Sequence, residues 1–69
     1  MTEGPPAIMR YFAFEHLPTQ LREVSRPFFE LAQLVSERLP RNAESATALR
    51  KLLEAKDAAV RAALPVGVE

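Results

Sequence analysis

From Thr47 to Leu64 the chain runs TALRKLLEAKDAAVRAAL and reads as one long helix with too many apolar positions for a single partner. A helix lying on one neighbour needs one stripe recurring at i, i+3, i+4 and i+7. Here Leu49, Leu53 and Val60 make one seam, while Ala48, Leu52, Ala55, Ala59 and Ala62 follow a second. The first seam predicts a partner within the chain. The second predicts a contact with another copy, because small residues let helix axes come together at the short end of the usual separation of about 8–10 Å.

The partner within the chain precedes it. Leu17, Leu21, Val24, Phe28, Leu31, Val35 and Leu39 recur at alternating spacings of about three and four residues, the signature of an amphipathic helix. Pro18 suits the first turn, where a missing N–H costs nothing. Pro27 falls inside the pattern, yet the apolar register does not slip across it, so a kinked but continuous helix is expected rather than a new start capped by Ser25. On that register Phe28, Leu31 and Val35 face the second helix, and Phe29 and Ala32 look elsewhere.

Pro40 stops the first helix and Asn42 is a good N-cap for the next. Glu44 near the start and Arg61 near the end suit the helix dipole. Arg50 with Glu54, and Asp57 with Arg61, are spaced as i,i+4 ion pairs. The expected fold is all-α: an antiparallel two-helix hairpin with a short N-terminal arm, assembling into a compact helical oligomer. Residues 1–9 are expected to be a flexible lead, 10–64 the hairpin domain, and 65–69, beginning at Pro65, a frayed tail.

Length reinforces the oligomer. A domain of 69 residues hides only about 60 % of its unfolded surface and is marginal alone. The remedies are disulfides, a metal or self-association. There is no cysteine and a single histidine, His16, which leaves self-association. Nine basic and nine acidic residues cancel, giving no global field to attract DNA, RNA or an anionic membrane. No apolar stretch approaches the roughly 20 residues of a membrane span. The chain reads as soluble and cytoplasmic.

No catalytic constellation emerges, and the chain is not expected to be an enzyme or to need a cofactor. His16 beside Glu15 lacks a nucleophile at a usable spacing and reads as a loop histidine. The only glycines, Gly4 and Gly67, lie near the ends, so there is no phosphate-cradling loop. More suggestive is the cluster Arg10, Tyr11, Phe12 and Phe14, since aromatic faces beside a guanidinium suit a nucleobase and a phosphate. From composition alone the favoured reading is plainer: these aromatics staple the arm to the helices. Arg22 and Arg26 share a helical face, and Arg50 and Lys51 form a basic step on the second helix. Thr47 is expected to bond back to a carbonyl one turn earlier.

Taken together, FEHLP, a helix containing FFELAQLV, then LP and ESATALRKLLEAKDAAVRAA resemble the hairpin domain of phage anti-CBASS and anti-Thoeris proteins, over roughly residues 10–64. The resemblance implies a sponge: a small hairpin that assembles, often as a hexamer, and sequesters host immune signals in the bacterial cytoplasm without cleaving them. Its ligands would be cyclic dinucleotides, cyclic trinucleotides or cyclic ADP-ribose derivatives, held between protomers.

The resemblance also implies roles for residues. An aromatic before the first helix would stack on a base, matching Phe14 with Tyr11 as its neighbour. The phosphate-holding lysine of such proteins falls at or beside Phe29, which has no charge, so Arg26 one turn earlier is the expected substitute. For a trinucleotide on a symmetry axis, Arg10, Arg50 and Lys51 are the candidate cations. A different class of function also fits: a structural or interaction hairpin that binds its own copies or a partner helix and takes no small ligand.

Overall fold

A computed structural model describes residues 4–64 of the chain. The tail expected at 65–69 lies outside the described residues. Three helical elements occur in order: a 3-10 helix at Ala7–Phe12, α1 at Thr19–Arg38 and α2 at Ala43–Ala63. No strand occurs among the described residues. The two long helices pack on each other, and the short connection between them makes the pair an antiparallel hairpin. The 3-10 helix touches both.

Local chemistry explains the boundaries. Pro18 occupies the N-cap position of α1 with φ −57°, one residue ahead of its expected place, and its carbonyl accepts from the Arg22 N–H at 2.8 Å. Pro27 sits inside a continuous α1, as the unbroken register predicts. Its missing N–H leaves the Glu23 carbonyl without a helical donor. Both residues are exposed, so water can replace the lost bond.

At the hairpin's closed end Asn42 caps α2 in a reciprocal box. Its Oδ1 accepts from the Ser45 N–H at 2.9 Å, and Ser45 Oγ accepts from the Asn42 N–H at 3.0 Å. Ser45 Oγ also donates to the Pro40 carbonyl at 2.7 Å, tying the connection to the first turn of α2. Thr47 Oγ1 donates to the Ala43 carbonyl at 2.9 Å, the back-bond expected of it. The i,i+4 ion pairs are replaced by nearer ones: Glu54 lies 3.7 Å from Lys51, and Asp57 lies 2.8 Å from Lys56.

The core differs most from the periodicity argument. Its fully enclosed apolar residues are Phe12, Ala32 and Leu49, with Ile8, Met9, Phe28, Phe29, Val35, Leu52 and Leu53 packed around them. Ser25 is also buried. The inward line of α1 therefore runs through Ser25 and Ala32, seven residues apart in sequence. Ala32 and Phe29, expected to look outward, face inward. Leu31 and Leu39, expected inside, are 48 % and 47 % exposed.

The reason is the arm. Small side chains at 25 and 32 leave room for the Phe12 ring, and a pattern argument that counts only large apolar residues does not register that vacancy. Ile8 and Met9 join the core as well, so the lead expected over residues 1–9 is structured from Ala7 onward. On α2, Leu49 and Leu53 face the core as expected. Leu52 joins them rather than the alanine seam, whereas Ala48, Ala55 and Ala62 are exposed.

A contrast between neighbours tests this packing. Phe12→Ala should destabilise the fold by about 3–5 kcal/mol. Tyr11→Ala, at a residue 56 % exposed, should cost less than about 1 kcal/mol. Urea unfolding followed by far-UV circular dichroism measures both, and equal losses would contradict a core keyed by Phe12.

Candidate functional site

Burying Phe12 decides where its neighbours point. A 3-10 helix has about three residues per turn, so Arg10, Tyr11 and Phe12 occupy three different sides. With Phe12 against the hairpin, Arg10 and Tyr11 flank it, and the Arg10 guanidinium carbon lies 5.3 Å from the centre of the Tyr11 ring. The chain then turns at Phe14–Leu17, closed by the Leu17 N–H donating to the Phe14 carbonyl at 3.1 Å. That turn carries His16 back toward the end of α2.

A cleft of about 390 Å³ results at the open end of the hairpin, lined by Arg10, Tyr11, Ala13, His16 and Leu17 on one side and Lys56, Asp57, Val60 and Arg61 on the other. Its volume falls in the range of small-molecule sites, roughly 300–1,000 Å³. Two guanidinium groups and one ammonium group share this cleft with one carboxylate. The Lys56 side chain is only 13 % exposed, and its ammonium lies 2.8 Å from Asp57. A chain with no net charge thus concentrates positive charge in one concave place.

The other expected site residues fall into separate places. Phe14 and Phe29 form a tilted ring pair with centroids 5.4 Å apart. The Arg26 guanidinium carbon lies 5.6 Å from the centre of the Phe14 ring, and Arg26 also pairs with Glu23 at 3.1 Å. These three residues do meet, but Phe14 is already engaged by both partners. Tyr11, 56 % exposed, carries only the Arg10 guanidinium against its ring.

Arg50 lies toward the closed end, in a groove with Pro6, Ile8, Asn42 and Leu49. Lys51 is exposed and paired only with Glu54. Neither reaches the cationic cleft. A larger groove of about 510 Å³ between the arm and α1 includes Met9, Phe29, Glu37 and Arg41, and its opposite charges give it no bias toward an anion.

Sequence reasoning missed Lys56, Arg61 and His16 as a group. Lys56 and Arg61 are five residues apart, outside the usual same-face spacing, and only the hairpin register and the turn at His16 bring all three together. Among the described residues no group of three or more metal-ligating side chains converges, and no helix is long and apolar enough to cross a membrane.

The half-buried lysine has a measurable signature. Lys56→Ala should cost about 1 kcal/mol through lost stem packing, whereas Lys51→Ala, at a side chain 70 % exposed, should stay within about 0.5 kcal/mol. Urea midpoints of the two variants compare them directly, and equal shifts would contradict the packed position of Lys56.

No protein-family model matches the chain, and no curated protein or solved structure is significantly similar to it.

Proposed function

We propose that this chain is an oligomeric sponge that binds a cyclic oligonucleotide or cyclic ADP-ribose-type signal and holds it intact. The observation that carries the reading is one cleft lined by Arg10, Lys56 and Arg61 together with the exposed side chain of Tyr11. Phosphate groups need cations or N–H donors that are already in place, and a base needs a flat aromatic surface; this cleft offers both. The stacking role expected of Phe14 passes to Tyr11. Phe14, Phe29 and Arg26 then form a neighbouring wall with a second cation.

Assembly into several copies, with a hexamer as the form the family resemblance suggests, follows from how little one copy encloses. Leu31, Leu34 and Leu39 stay 42–48 % exposed, and Ala48, Ala55 and Ala62 of α2 are exposed as well. The family resemblance adds to this reading a phage-type evasion factor working in the bacterial host cytoplasm, by sequestration rather than catalysis.

The exposed leucines favour one other reading, a hairpin that only assembles or binds a partner helix. They border a shallow depression of about 280 Å³ with Val35 and Arg38, a surface suited to another helix and carrying only one charge.

Isothermal calorimetry with a panel of cyclic di- and trinucleotides separates the two. A sponge gives saturable binding at micromolar concentration or tighter, with ligand recovered chemically unchanged. Tyr11→Ala and Arg61→Ala should each weaken binding about tenfold or more. A folded, assembled protein that gives no heat with any member up to millimolar concentration would leave the interaction hairpin as the reading.

A further inference from the structure

We infer that His16 is a ligand-contacting group of the cationic cleft and couples anion binding to proton uptake. The inference rests on the cleft being the ligand site, and adds to that reading a residue and a pH dependence.

The imidazole shares its cleft with groups from two elements. From the arm, Arg10 and Tyr11 face the cleft. From α2, Lys56, Asp57 and Arg61 face it, and Leu17 and Val60 supply apolar walls. Glu15 precedes His16 in the turn, is exposed and does not line the cleft. Asp57 and Lys56 pair with each other at 2.8 Å, so the net positive charge of the cleft comes from Arg10 and Arg61. Of the side-chain types gathered here, arginine, lysine, tyrosine and carboxylate ordinarily keep one charge state between about pH 5.5 and 8, and histidine is the type that does not.

A phosphodiester remains a monoanion across the same interval, so a cyclic dinucleotide does not change its own charge there. An anion seated among Arg10, Lys56 and Arg61 lies beside the imidazole and favours its protonated form. By reciprocity the protonated imidazole favours the anion. The sign follows: affinity rises as pH falls, and binding takes up a fraction of one proton. The scale is that of a partly exposed ion pair, about two- to fivefold in affinity.

The turn makes this geometry dependable. The bond from the Leu17 N–H to the Phe14 carbonyl fixes the turn that carries His16, and Pro18 immediately beyond it locks the entry to α1. The imidazole is therefore carried on short, closed backbone rather than on a free loop tip.

The test is calorimetry with a cyclic dinucleotide on the intact chain, at pH 5.5 and pH 8. At pH 6.5 the same titration is run in two buffers of different ionisation enthalpy, which reads proton uptake directly. The wild-type chain should bind about two- to fivefold more tightly at the lower pH and take up a measurable fraction of a proton. His16→Gln should bind with one affinity at both pH values and take up none.

Binding that is independent of pH in the wild-type chain, or a slope that survives in His16→Gln, would overturn the role of His16 while leaving the cleft as the ligand site. Absence of binding at either pH, in protein shown to be folded, would overturn both.

Discussion

Enclosure of the Phe12 ring is the contact on which the rest of this small structure depends. Two helices of this length offer each other Leu49, Leu53, Phe28 and Val35, but the line of α1 that faces inward carries Ser25 and Ala32, side chains too small to fill the space between. The ring from the arm occupies that space against Ala32 and Leu49. Voids in such a position forfeit contacts on every wall, so the arm is an integral third element and not an appendage. Its short 3-10 geometry follows from the Pro5–Pro6 lead and from the bond of the Met9 N–H to the Pro6 carbonyl at 2.9 Å.

The same contact builds the cleft proposed as the ligand surface. Once Phe12 is fixed, Arg10 and Tyr11 have no choice but to flank it, opposite the last turns of α2. Lys56 and Arg61 belong to a helix that starts at the Asn42–Ser45 box, with the Ser45 hydroxyl also tied to the Pro40 carbonyl of the connection. Helix capping, ring burial and the convergence of cations form a single chain of cause.

Much of the secondary structure was legible in the amino-acid order, because its signals are local. Asn42 and Ser45 lie three residues apart, Pro40 ends a helix by its own covalent shape, and an apolar register that continues across Pro27 marks one helix rather than two. The rotation of α1 was not legible. Its inward line is defined by what is small, Ser25 and Ala32, and by a ring supplied from another part of the chain. Reading only large apolar residues turned Leu31 and Leu39 inward and Phe29 and Ala32 outward. The site divides in the same way: Arg10 and Tyr11 stand out by adjacency, while Lys56, Arg61 and His16 gain meaning only from tertiary register. Arg50 and Lys51 look alike in sequence to those cations but sit elsewhere.

The central claim is that the arm, docked by Phe12, makes one ligand surface with the end of α2. Amide spectra recorded by two-dimensional ¹H–¹⁵N NMR during addition of a cyclic dinucleotide test it most directly. Shifts concentrated at Arg10, Tyr11, His16 and residues 56–61 are the predicted result. Shifts centred instead on Arg50 and Lys51, or spread along the exposed leucines of α1 with the arm unmoved, would contradict it.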